Sequence, residues 1–133
     1  MESSYLLDTN ICIPLIQGKD PSLSSKILGL PKKNIVLCSI VKAELLLGAE
    51  KSTQKNEVLG RLDIFFNEIA SYSFDDQAAA QYAPIRATLE KLGTPIGAND
   101  LLIASIAIAH RLTLVTRNIK EFMRVPGLRV EKW

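Results

Sequence analysis

The sequence predicts an α/β fold, a three-layer α/β/α arrangement around a mostly parallel central sheet of about five strands.

 The charged and apolar residues are patterned in three ways that lead there. Short, almost continuously apolar runs such as "YLL" (5–7) and "IVLC" (35–38) alternate with helical patterns along the chain. Strands fed by helices need crossover connections, and crossovers make a sheet parallel. The strand candidates also lack an inside–outside alternation, as expected where helices cover both faces. Finally, the 133 residues contain no Gly/Ser linker, internal repeat or low-complexity stretch, so residues 1–133 read as one domain.

The elements follow in order. Residues 5–8 form the first strand, bulky and apolar up to Asp8. Short helices are expected at 11–17 and 22–28, the second begun by the turn pair Asp20–Pro21. Residues 35–39 are the second strand, followed by longer helices at 40–51 and 56–68. The third strand is 70–74. Asp75 and Asp76 then supply an N-cap and a first-turn acid for a helix at 76–92, which Gly93 ends as a C-cap signal. A helix at 100–110 closes on His110, a residue that the helix dipole alone accounts for there. Residues 113–116 are the fourth strand, 119–123 a short helix and 128–131 a short last strand.

Hydrophobic residues make up 47% and charged residues 23%, with a net charge of +2. These are ordinary values for a globular protein, and a weak overall field leaves any attraction of nucleic acid to local basic patches. Cys12 and Cys38 are too few and too far apart for a zinc site or a redox pair, and they read as reduced core thiols. The start of the chain lacks a basic segment followed by a long apolar one, and the longest apolar run (101–109) is too short to span a bilayer. A cytoplasmic enzyme or binding domain fits. With a single histidine, chemistry built on a histidine pair is excluded. The absence of a glycine-rich phosphate loop argues against a nucleotide-fuelled enzyme.

Three acids stand where acids are costly. Asp8 ends an apolar strand. Glu44 shares its helix face with Ile40, Val41, Leu47 and Gly48, and Asp100 shares its face with Ile103, Ala104 and Ala107. Taken singly, Asp8 reads equally as a helix cap and Asp100 as a first-turn acid. Taken together, three acids on core-facing stripes at strand or helix ends are explained by one shared divalent cation. Mg²⁺ and Mn²⁺ are oxygen-seeking, and Mg²⁺ is commonly held by a couple of carboxylates plus water and phosphate.

The ordered series "LLDTN", "KAELLLGAE", "IGANDLLIASIA" and "LVTRNIKEF…VPGL" resembles the motifs of PIN-domain ribonucleases, and among them the VapC-type toxins of bacterial toxin–antitoxin pairs. The likeness runs from Tyr5 to Trp133. It implies a Mg²⁺-dependent endoribonuclease, with Mn²⁺ able to substitute, that hydrolyses RNA through water activated by the metal and leaves a 5′-phosphate. Asp8, Glu44 and Asp100 match the acidic cluster as catalytic and metal-binding residues, Glu44 through water. Thr9 and Asn10 complete the first motif, and Thr116 matches the hydroxyl residue of the last. The chain departs from the pattern at Asn118, where many PIN domains carry an acid; Glu121, one helical turn on, is a supporting candidate. Lys42, Arg86, Arg117, Lys120 and Arg124 are candidates for holding the RNA backbone. The resemblance also implies a cognate antitoxin and, with the apolar content of "LLLGAE" and "LDIFFNEIA", a homodimer. Two alternatives stand beside it. One is a PIN-like domain that only binds RNA or protein. The other is a phosphatase using Asp8 as nucleophile, a chemistry that wants a second acid where Asn10 stands.

Overall fold

A computed structural model describes residues 4–133; residues 1–3, part of the stretch read above as lacking a leader pattern, lie outside the described residues. Five strands build one sheet: β1 (Tyr5–Leu7), β2 (Ile35–Cys38), β3 (Ala70–Tyr72), β4 (Thr113–Val115) and β5 (Val130–Glu131). Their spatial order is β3-β2-β1-β4-β5, and every pairing is parallel. The sheet is therefore wholly rather than mostly parallel. Leu6 of β1 lies in register with Val36 on one side and Leu114 on the other. The chain starts in the middle of the sheet, builds outward through β2 and β3, then returns to the other flank of β1 for β4 and β5. That reversal opens a crevice beyond the carboxyl ends of β1 and β4, the place where open parallel sheets bind ligands.

Seven α-helices fill the connections: α1 (Thr9–Gln17), α2 (Pro21–Leu28), α3 (Ser39–Glu50), α4 (Lys55–Glu68), α5 (Asp76–Lys91), α6 (Ala98–Ala109) and α7 (Ile119–Phe122). A 3₁₀ turn at Lys32–Asn34 precedes β2. Helices α1, α3 and α4 pack together, and α5 packs on α6. Leu6, Leu7, Leu37, Leu114, Ile103 and Phe122 have no solvent exposure and hold the layers together. None of these helices is long and apolar enough to cross a membrane.

Where the elements differ from expectation, polar side chains have moved the boundary. Asp8 leaves the strand with φ −73° and ψ 162°, and its carboxylate accepts the Thr9 N–H, so α1 begins at Thr9 rather than Ile11. Thr116 likewise falls outside β4, because its hydroxyl is turned to side chains across the crevice. Gly97 caps α6, which places Asp100 in the third helical position and not the first. The outer strands β3 and β5 are shorter than their apolar runs. Gly93 does end the long helix in the left-handed region, at φ +70°.

Candidate active site

The turn after β1 brings Asp8 against the turn after β4. Asp8 is 5% exposed. One carboxylate oxygen accepts the Thr9 N–H at 2.8 Å, and the other accepts the Thr116 hydroxyl at 2.7 Å. The cap expected of Asp8 is thus formed by one oxygen, while the other faces Thr116 across the crevice. Burial raises its pKa, and the two hydrogen bonds oppose that shift. Asn10 locks the same corner: its Nδ2 donates to Thr116 Oγ1 at 3.3 Å, and its Oδ1 accepts the Arg117 N–H at 3.1 Å. Thr116 also accepts the Asn118 N–H at 3.0 Å. One buried hydroxyl therefore ties Asp8 and Asn10 to Asn118 across more than a hundred positions of the chain.

Asp100 projects from the first turn of α6 beside Glu121 of α7. A Cβ placed on Gly97 would lie 3.6 Å from Asp100 Oδ2 and 3.7 Å from Glu121 Oε1, so both carboxylates flank this glycine. Glu121 Oε1 accepts the Gly97 N–H at 2.8 Å, and its Oε2 accepts Asn118 Nδ2 at 2.7 Å. These two donors lower the Glu121 pKa. The Asp100 pKa is pushed up to about 7, first by burial and then by the charges of Asp8, Glu121 and Glu44. Of these two neighbouring acids, Asp100 is the one whose proton is held more tightly. Asn118 turns its amide N–H to Glu121, a fourth acid near Asp100 that follows Asn118 by one helical turn.

Glu44, half-buried on α3, accepts the Thr9 hydroxyl at 3.0 Å. The five cations lie in different settings. Lys42 sits 5.0 Å from the centroid of the Phe66 ring. Arg86 donates to Glu90 and Tyr82 along α5, and Arg124 donates to the Pro95 carbonyl. Lys120 is exposed on α7. Only Arg117 is hydrogen-bonded by its own main chain to the Asp8–Thr116 corner, through Asn10. Its guanidinium donates to Asp20 at 2.6 Å. Asp20 is thus more than the turn residue its position before Pro21 suggests. His110, placed by its position alone at a helix end, also has a specific partner: Asp75 Oδ2, at 2.8 Å.

The donors gathered around Asp8 are all oxygens, without a histidine, while Cys12 and Cys38 are buried and pushed to high pKa by burial. Such a set suits Mg²⁺ or Mn²⁺ and not zinc. Among the described residues no three acidic, histidine or cysteine side chains close a cage by themselves. A cation here would rest on one or two carboxylates and take its remaining ligands from water and substrate phosphate, the usual Mg²⁺ arrangement. The mutual repulsion registered at Asp100 is what such a cation would relieve.

The chain is 45% identical over 130 residues to ribonuclease VapC2 of Rickettsia felis, covering 97% of each protein. It is 37% identical to the tRNA(fMet)-specific endonuclease VapC of Salmonella typhimurium, again over 97% of each. Its structure is similar to that in the crystal structure of VapBC2 from Rickettsia felis bound to a promoter DNA fragment, with a TM-score of 0.90, 45% identity and coverage of 97% and 98%. It is similar also to DNA-bound VapBC from Salmonella typhimurium, with a TM-score of 0.93, 36% identity and coverage of 99% of both chains. The PIN domain family model matches residues 5–128. With that match spanning β1 to β4 and all four carboxylates, the chain belongs to the PIN domain family.

Proposed function

We propose that this protein is a Mg²⁺- or Mn²⁺-dependent endoribonuclease that acts in the cytoplasm as the toxin of a toxin–antitoxin pair. The carrying observation is the convergence of Asp8, Glu44, Asp100 and Glu121 at the crevice beyond β1 and β4. Family membership supports the reading, as do relatives named for ribonuclease activity and structures of VapBC complexes.

In this reading Asp8 and Asp100 would hold the cation, and Glu44 would reach it through water. When bound, the cation supplies acidification of water and neutralisation of charge on the scissile phosphate. The protein supplies placement. Thr116 fixes the rotamer of Asp8 through its 2.7 Å hydrogen bond, and Asn10 and Asn118 hold Thr116. Thr9 fixes Glu44. Asp100, whose pKa is raised, would have to be deprotonated to hold a cation, so metal affinity should rise with pH. Asn10 stands where an aspartyl phosphatase needs its second acid, and its amide is committed to Thr116 and Arg117.

An apolar groove of about 260 Å³ between α1, α3 and α4 is lined by Ile13, Ile16, Leu45, Val58 and Leu62 and reaches Glu44. It is the surface we assign to the antitoxin. Leu46, Leu47 and Ile64 are 41%, 53% and 68% exposed, apolar surface that suits a homodimer or the antitoxin. The test of function is incubation of total tRNA with the protein in Mg²⁺, in Mn²⁺ and in EDTA. Cleavage is expected with either metal, none in EDTA and none from Asp8→Asn. Equal cleavage in EDTA, or by Asp8→Asn, would overturn the reading.

A further inference from the structure

A cluster of four carboxylates repels RNA, and a net charge of +2 does little to offset that at a distance. A cation close to the cluster has to hold the strand. We propose that Arg117, positioned by Asp20, grips an RNA phosphate flanking the scissile one, on the α1–α2 side of the acids. The proposal rests on the nuclease reading above.

Three observations carry it. Arg117 follows Thr116, whose hydroxyl touches Asp8, and its own N–H is bound by Asn10, so its backbone is fixed to the site. Its guanidinium is held by Asp20 Oδ2 at 2.6 Å, and Asp20 is itself fixed because its Oδ1 caps α2 through the Leu23 N–H at 3.1 Å. An arginine braced in this way has already lost rotamer freedom that binding would otherwise cost. The bond to Asp20 uses one hydrogen of Nη2, which leaves the other Nη2 hydrogen, together with its Nε or Nη1 neighbour, for the forked contact that guanidinium makes with phosphate. The side chain remains 39% exposed. Lys42, Arg86 and Arg124 differ: none is hydrogen-bonded to the Asp8–Thr116 corner. A bare surface ion pair would contribute a little stability and nothing to RNA.

The experiment uses total tRNA as probe, with Lys91→Ala on α5 as the charge control. Arg117→Ala is expected to raise KM about tenfold with a smaller change in kcat, while Lys91→Ala leaves KM in place. In an inactive Asp8→Asn background with Mg²⁺, Arg117→Ala should flatten the slope of log Kd against log salt by about 0.7–0.9, one phosphate contact. Arg117→Lys should recover only part of the affinity, because an ammonium cannot make the fork. Asp20→Asn keeps the helix cap. It should raise KM about threefold in the wild type and have no effect when Arg117 is already alanine. Unchanged KM and salt slope in Arg117→Ala, with wild-type cleavage intact, would overturn this inference alone. A lower KM in Asp20→Asn would overturn the positioning role, since Asp20 would then compete with RNA. Failure of the wild type to cleave any RNA would remove the nuclease reading and this inference with it.

Discussion

Asp100→Asn should yield a protein that is inactive yet more stable without metal. Asp100 has a pKa of about 7 in the fold against an ordinary 3.8. An acid whose pKa rises on folding binds more protons folded than unfolded between those two values, so stability falls as pH climbs through that window. The three-unit shift sets a ceiling of about 4 kcal/mol. Asp100 is only half-buried, and water screens much of the repulsion, which brings the realised cost to ~1–2 kcal/mol. Asparagine removes the charge, and its amide still offers Glu121 an N–H where the protonated acid offers O–H. For a chain of this length the gain corresponds to a rise in Tm of roughly 4–7 °C. Scanning calorimetry in EDTA should show the two proteins melting close together near pH 4 and diverging up to about pH 8. Mn²⁺ should then raise the wild type and leave the variant nearly unmoved. A Tm difference that is flat with pH, or a variant less stable at pH 8, would refute the account of Asp100 as a charge held against its neighbours.

Three further outcomes follow from the same geometry. Thr116→Val removes the hydroxyl shared by Asp8, Asn10 and Asn118; it should cost about 1–3 kcal/mol in urea unfolding and most of the cleavage, with Thr116→Ser recovering both. Phe122 has no solvent exposure, so Phe122→Ala should cost about 3–5 kcal/mol and weaken cleavage through the loss of α7's seat. The Asp75 pKa is lowered, first by the Ala78 N–H and also by His110, so its contribution to stability is present above the ordinary carboxylate pKa and lost as pH falls through the folded value. Asp75→Asn, which keeps the cap, should therefore melt below the wild type at pH 7 and alongside it in strong acid.

Most of the fold was legible because apolar runs and helix signals agree along the chain. β2 is four buried residues, and Gly93 stops α5 where expected. The strand ends were not legible, since Asp8 and Thr116 have strand-like neighbours but side chains committed to each other across the crevice. Sequence proximity carries no trace of a partner 108 positions away. The same reason hid Asp20, whose local role as a cap is readable while its bond to Arg117 is not, and it hid the pairing of His110 with Asp75. Asp8, Glu44 and Asp100 were legible because an acid on an apolar stripe is anomalous wherever it falls. Glu121 was legible only through its spacing from Asn118; its seat on the Gly97 N–H beside Asp100 was not, since no pattern in the residues announces a backbone donor.

The joining of β1 to β4 has a consequence for a protein of this kind while it is being made. Asp8 emerges from the ribosome early, but the hydroxyl that fixes it and the acid that completes the cluster arrive more than a hundred residues later. Until β4 adds itself beside β1, the nascent chain holds scattered acids and no cleft. Contacts this distant in sequence also form slowly. A nuclease whose site closes only when β4 is made cannot assemble that site earlier, and this leaves an interval in which a partner already present can meet the chain.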